Sequence, residues 1–70
     1  MKKYNGHPSY NHWNVALWFG NDEGLYHMAL RHKTGQSLFD ECKEVGFRDT
    51  PDGVQLTPRL CGHALRCLRD

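Results

Sequence analysis

A chain of 70 residues has room for one folded domain, spanning residues 1–70, and no more. Nine Lys and Arg residues against eight Asp and Glu residues give a formal net charge of +1, which excludes the strongly basic surface that by itself indicates nucleic-acid binding. The sequence has no run of about 18 apolar residues and no apolar stretch behind its basic N-terminal residues. We therefore expect no membrane-spanning helix, no signal peptide and a cytoplasmic location.

A domain of this size has a small core, because a chain of about 60 residues buries only about 60% of the surface that it exposes when unfolded. Such domains usually need a disulfide, a metal ion, a partner or unusually dense packing. The three cysteines leave one unpaired in any disulfide arrangement. We expect all three to be reduced, with Cys61 and Cys67 mostly buried as small apolar side chains.

The N-terminal third is rich in aromatic residues. Residues 4–12 are dominated by turn formers, and we expect Tyr4, Tyr10 and Trp13 to cover the core, the alternative being an aromatic recognition surface. Apolar residues then alternate over 13–19, which predicts a half-buried β-strand with Trp18 on its outer face. Trp18 is therefore the best candidate for an exposed contact residue.

Three helices are predicted after the strand. Apolar residues follow helical spacing over 22–33, over 37–46, where Gly46 is expected to end the helix in a left-handed conformation, and over 57–69, which Thr57 caps. The short stretch Val54-Gln55-Leu56, just before the last helix, is expected to pair with the strand at 13–19. The predicted fold class is α+β, a small single domain of three helices with a short two-stranded β element.

The helix at 57–69 separates into an apolar face and a basic face. A glycine inside a helix costs about 1 kcal/mol relative to alanine, so Gly62 is interpreted either as a position where the backbone of a partner comes close or as a glycine that the helix merely tolerates. The basic face is interpreted as a solvated surface, as a contact for an acidic protein, or as a phosphate contact. The candidate partner-binding residues are Trp18, Arg59, Gly62, His63, Arg66 and Arg69.

Metal binding and catalysis are weakly indicated. His63 and Cys67 stand four residues apart on the last helix and could chelate a metal, with His7 and His12 completing the site from across the fold. No zinc-finger spacing is present, however, and the helical pattern favours Cys61 and Cys67 in the core with His63 exposed. We therefore expect neither a metal nor a cofactor. Without an activated thiol or a phosphate-binding glycine loop, we also expect no enzyme.

Several segments carry a family resemblance. They are Tyr-Asn-Gly-His at 4–7, Tyr-Asn-His-Trp-Asn-Val at 10–15, Leu17-Trp18, Asn-Asp-Glu-Gly-Leu-Tyr at 21–26 and Thr-Pro-Asp-Gly-Val at 50–54. On these motifs the chain resembles a family of short uncharacterised bacteriophage and prophage proteins. The resemblance implies a context: small phage proteins without catalytic residues often act by occluding a host protein, and inhibitors of CRISPR and other defence systems are a prominent group.

Two functions are compatible with these features. The first is a non-enzymatic, anti-CRISPR-like inhibitor or modulator that binds a host protein. The alternative is a compact nucleic-acid-binding regulator resembling a helix-turn-helix protein. The gap of about ten residues between the last two predicted helices exceeds the turn of about 3–4 residues in that motif, and the low net charge also disfavours it. The oligomeric state stays open.

Overall fold

The computed structural model describes residues 6–69, which form four α-helices. They are α1 (Tyr10–Asn21), α2 (Glu23–Leu30), α3 (Gly35–Glu44) and α4 (Pro58–Arg69). Helix α4 packs against both α1 and α3, while α2 packs on α1 and also touches α4. Residues 6–69 contain no β-strand, so the fold is all-α and the predicted α+β class with a two-stranded β element is wrong.

The segment 13–19, predicted as a strand, lies inside α1. Ser9 caps this helix by accepting a hydrogen bond from the amide of His12 at 3.3 Å. Val15 and Phe19 belong to the alternating series, but they also stand one helical turn apart, and both are fully buried. Since no Gly or Pro interrupts residues 10–19, burial of this face against α4 outweighs the β propensity of its aromatic and branched residues.

The helices predicted at 22–33, 37–46 and 57–69 are confirmed, with shifted ends. Helix α3 begins two residues early, because the side chain of Thr34 accepts a hydrogen bond from the amide of Ser37 at 3.2 Å. Gly46 adopts the expected left-handed conformation, with φ of 86°. Thr57 caps α4 as predicted, since its hydroxyl accepts from the amide of Leu60 at 3.1 Å.

The stretch Val54-Gln55-Leu56 pairs within its own loop and not with 13–19, which corrects the prediction. The amide of Leu56 donates to the carbonyl of Arg48 at 2.9 Å, and the amide of Thr50 donates to the carbonyl of Val54 at 2.9 Å. These bonds close a loop between α3 and α4 that tucks the Val54 and Leu56 side chains into the core.

The core is built around the apolar face of α4. Cys61 is buried there as expected, but Cys67 is exposed, so the prediction for Cys67 is wrong. Cys67 lies at the edge of the apolar face, next to His63, where α4 meets residues 6–9. We call residues 6–9, which precede α1, the N-terminal segment. The expectation for Tyr4 falls outside the described residues. Trp13 is half-buried, whereas Tyr10 is exposed and does not cover the core as predicted. None of the described helices is long and apolar enough to cross a membrane. The buried apolar residues are Val15, Phe19, Ala29, Leu38, Cys42, Val54, Leu56, Leu60, Cys61, Ala64 and Leu65.

Candidate metal centre on helix α4

Three metal-ligating side chains converge where α4 meets the N-terminal segment. His63 and Cys67, one helical turn apart on α4, face His7, and the donor atoms of all three lie within 4.8 Å of one another. His7 Nδ1 is 2.8 Å from His63 Nε2, while Cys67 Sγ is 3.5 Å from His63 Nε2 and 4.0 Å from His7 Nδ1. We call these three residues the His–Cys cluster.

The start of α1 holds the N-terminal segment against this cluster. Ser9 both caps α1 and places its hydroxyl 2.7 Å from Nδ1 of His12. The His12 ring packs edge-on against the His63 ring, with centroids 4.9 Å apart and an interplanar angle of 87°. Gly6 has a positive φ of 84°, which marks the bend that leads into His7. His12 thus supports the cluster from the side.

Electrostatics favour a neutral imidazole at the centre of the cluster. Burial lowers the pKa of His63, and electrostatic interactions with the neighbouring His12, His7 and Arg66 lower it further. A neutral imidazole offers a nitrogen lone pair, which is the form that ligates metal ions. The cluster also borders a shallow groove of about 250 Å³, lined by His7, Trp13, Ala16, Leu17, Cys67 and Leu68.

The predicted basic face of α4 is present, but its three arginines differ in whether they contact the rest of the domain. Arg59 and Arg66 are exposed, and within residues 6–69 neither forms an ion pair. Arg69 is exposed too, but its guanidinium donates to the carbonyl of His32 in the turn between α2 and α3. Of these three side chains, Arg59 and Arg66 are therefore the ones with no hydrogen bond to the body of the described domain.

Two other predicted contact residues have internal roles. Gly62 lies against Gly35 of α3, since a Cβ added at Gly62 would sit 3.7 Å from the Gly35 Cα. The backbones of α3 and α4 therefore approach closely at this point, although a Cβ at position 62 would meet α3 only at an ordinary contact distance. Trp18 is half-buried, and its indole Nε1 donates to Asp52 at 3.0 Å. Each residue keeps only part of its surface for a partner.

A Ser–His–Glu chain lies at the turn between α2 and α3, and sequence patterns gave no sign of it. His32 Nδ1 is 3.0 Å from the Ser37 hydroxyl, and its Nε2 is 2.5 Å from Glu41. The Ser37 hydroxyl, however, donates its hydrogen to the carbonyl of Thr34 at 3.1 Å, so that hydrogen is not directed at His32 and the hydroxyl is not activated as a nucleophile. His32 and Arg31 together lower the pKa of Glu41 through hydrogen bonds to its carboxylate. The hydrogen bonds of His32 with Ser37 and Glu41 thus hold the turn between α2 and α3 against α3.

The two buried thiols are not accessible to a substrate. Cys42 and Cys61 are both fully buried in the core. The hydrogen bond with Cys42, together with burial, raises the pKa of the Cys61 thiol, which keeps it protonated at neutral pH. Of the three cysteines, Cys67 alone is exposed, and it belongs to the His–Cys cluster.

Comparison with known proteins gives a family. A family model, described as a family of unknown function (DUF7249), matches residues 1–55. The chain belongs to this family. No curated protein and no solved structure matches the chain. The matched range contains α1 to α3 and most of the following loop. It therefore includes His7 of the His–Cys cluster but not His63 and Cys67, which lie on α4.

All three residues of the His–Cys cluster could be identified in the sequence as potential metal ligands, but the helical pattern favoured a buried Cys67 and an exposed His63. His7, His12, His63 and Cys67 were recognised as residues that could chelate together, and the structure places His7, His63 and Cys67 in mutual contact. The preference for a buried Cys67 counted against the site. The useful signal was the spacing of four between His63 and Cys67, which puts both side chains on one side of a helix.

Proposed function

We propose that this protein is a small non-enzymatic binding domain that covers an acidic surface of a host protein and thereby inhibits or modulates it. The class of target we propose is a bacterial defence complex, as for an anti-CRISPR-like phage protein in the host cytoplasm. The observation that carries the proposal is the basic face of α4, which presents Arg59 and Arg66 without acidic partners in residues 6–69.

The distribution of charge supports this proposal. Helix α4 contains three arginines and no acidic residue, whereas seven of the eight Asp and Glu residues lie between positions 22 and 52. A nearly neutral chain therefore carries a one-sided positive helix. By contrast, Arg31 has its charge balanced by Glu41 at 2.7 Å. Arginine is enriched in the cores of protein interfaces, because its planar guanidinium pairs with carboxylates through two hydrogen bonds.

The rigidity of α4 also supports a role in recognition. Its apolar face is buried against α1 and α3, so Arg59 and Arg66, two helical turns apart, stand on a fixed support. A preorganised surface loses less conformational entropy when it binds than a mobile loop does. Half-buried Trp18 and Gly62 stay secondary candidates for contact with the partner.

A matched pair of charge reversals tests the proposal. We compare Arg59→Glu/Arg66→Glu with Lys33→Glu/Arg48→Glu, which changes the net charge equally on exposed residues outside α4. Each protein is used as bait in a lysate of the bacterial host, and the captured proteins are then measured for affinity. The α4 double variant should lose capture and the control should keep it, because a desolvated interface arginine is worth several kcal/mol while an exposed charge contributes about 0–1 kcal/mol to folding. Equal melting temperatures show that both variants remain folded.

Binding to nucleic acid is the competing outcome. Phosphate contacts weaken steeply as salt rises, since binding releases condensed counterions. Retention on heparin and a salt-dependent shift of DNA, both lost in the Arg59→Glu/Arg66→Glu variant, would replace the protein-binding proposal with the nucleic-acid one. Capture of the same host protein by both variants would leave the basic face as solvated surface.

A further inference from the structure

We infer that His7, His63 and Cys67 bind one Zn²⁺ ion, which fastens the N-terminal segment to the last helix. This metal site is independent of the proposed protein-binding function. It stands on the geometry of three side chains from opposite ends of the chain and on the chemistry of their donor atoms.

The donor atoms are spaced like the corners of a zinc tetrahedron. With Zn–N bonds of about 2.0–2.1 Å and a Zn–S bond of about 2.3 Å, tetrahedral geometry places two nitrogen ligands about 3.3 Å apart and a nitrogen and a sulfur about 3.6 Å apart. The Cys67 Sγ distances of 3.5 Å to His63 and 4.0 Å to His7 bracket the second value. The two imidazole nitrogens, at 2.8 Å, need to separate by about half an ångström.

The ligand set selects the type of metal. Two imidazole nitrogens and one thiolate suit Zn²⁺ and neighbouring transition metals, whereas Mg²⁺ and Ca²⁺ require oxygen ligands. Binding deprotonates the Cys67 thiol and releases that proton to solvent, and each histidine ligates through a nitrogen lone pair. Among the described residues, His12 is not part of the group whose donor atoms lie within 4.8 Å of one another, so the fourth position faces the neighbouring groove and is available to a water molecule.

The position of the ion explains what it would do. His7 and His63 are separated by 56 residues, so a metal that joins them closes almost the whole chain into one loop. Cross-links across long loops remove the most conformational freedom from the unfolded chain. A small domain benefits from such a link because its core is limited. The metal is therefore a structural staple for the N-terminal segment.

Metal titration of the full chain tests the site. Apo protein, prepared with a chelator and kept reduced, is titrated with Co²⁺ and then with Zn²⁺ as competitor. We expect one Co²⁺ per chain, with the strong visible bands of a tetrahedral site and a near-ultraviolet band from thiolate coordination, both abolished by one equivalent of Zn²⁺. At a free Zn²⁺ concentration about a hundredfold above Kd, the melting temperature should rise by about 10 °C or more.

Variants assign the ligands. Cys67→Ser leaves the exposed position nearly unchanged in shape and should remove the thiolate band and weaken Zn²⁺ binding by about 100-fold or more. His7→Ala should weaken binding similarly. His27→Ala, an exposed histidine of α2, is the matched control and should bind as the parent does.

Three results would overturn the inference. They are the absence of a thiolate band with Co²⁺, a thiolate band that persists in Cys67→Ser, and equal Zn²⁺ affinities in His7→Ala and His27→Ala. The Arg59→Glu variant, which leaves Arg66 beside the cluster unchanged, should keep Zn²⁺ binding, so that failure of the protein-binding proposal and failure of the metal site are distinguishable.

Discussion

Gly35 and Gly62 meet backbone to backbone where α3 begins against α4. A Cβ added at Gly35 would overlap the carbonyl oxygen of Pro58 and the backbone of Gly62, approaching the Gly62 Cα to 2.7 Å. The reverse is not true, because a Cβ added at Gly62 would meet the Gly35 Cα at an ordinary contact distance of 3.7 Å. Only Gly35 is therefore sterically required at this crossing.

Alanine substitutions at the two glycines should have opposite effects. Gly35→Ala forces α3 and α4 apart and should destabilise the domain by about 1–3 kcal/mol. Gly62→Ala should be neutral or stabilising by up to about 1 kcal/mol, because alanine is the better helix former. Thermal unfolding measures both, since 1 kcal/mol corresponds to about 4–8 °C in a domain of this size. A Gly35→Ala protein that melts with the parent would contradict the close crossing.

Local signals in the sequence predicted most of the helix boundaries. Thr57 and Gly46 act through hydrogen bonds and backbone angles within a few residues, so their roles follow from the sequence alone. Residues 13–19 fit both a strand and a helix, and contact with α4 decides between them. That contact depends on residues more than forty positions away, which no local pattern encodes.

The same limit applies to the functional residues. The arginines of α4 were predictable because helical spacing places them on one face. The approach of His7 to His63 was not, since 56 residues separate them and the bend at Gly6 and the cap at Ser9 together set the position of His7. Gly62 illustrates a third case: the sequence indicated a close backbone approach but could not show that α3 provides it.

Asn14 should be one of the most sensitive polar positions. It is fully buried, its amide donates to Asp52 at 2.7 Å, and its carbonyl oxygen accepts from the Thr50 hydroxyl at 2.6 Å. Asn14→Ala removes both hydrogen bonds and leaves Asp52 and Thr50 without this partner, so it should destabilise the domain by about 1–3 kcal/mol. The exposed Asn21→Ala is a matched control and should stay within about 0.5 kcal/mol of the parent. Equal melting temperatures for the two variants would show that the hydrogen bonds of Asn14 do not stabilise the loop between α3 and α4.

Asp52 should make stability depend on acid pH. Hydrogen bonds from Asn14 and from the Trp18 indole lower the pKa of its carboxyl. A folded pKa below the unfolded value of about 3.9 means that the stabilisation is complete above that value and is lost as pH falls through the folded pKa. Asp52→Asn should therefore show a shallower loss of melting temperature from about pH 5 to about pH 3 than the parent does. Asp49→Asn, at an exposed carboxyl of the same loop, should keep the slope of the parent.

The three thiols should react at very different rates. Cys42 and Cys61 are fully buried, so a maleimide reaches them only when the domain opens. Cys67 is exposed and should be labelled quickly in native buffer at one site per chain. Cys67→Ser should abolish this fast phase, and denaturant should restore labelling of the remaining two thiols. A saturating amount of Zn²⁺ should slow the labelling of Cys67 by at least about tenfold, because coordination occupies its thiolate. Fast labelling that Zn²⁺ leaves unchanged would confirm the exposure of Cys67 while removing it from the metal site.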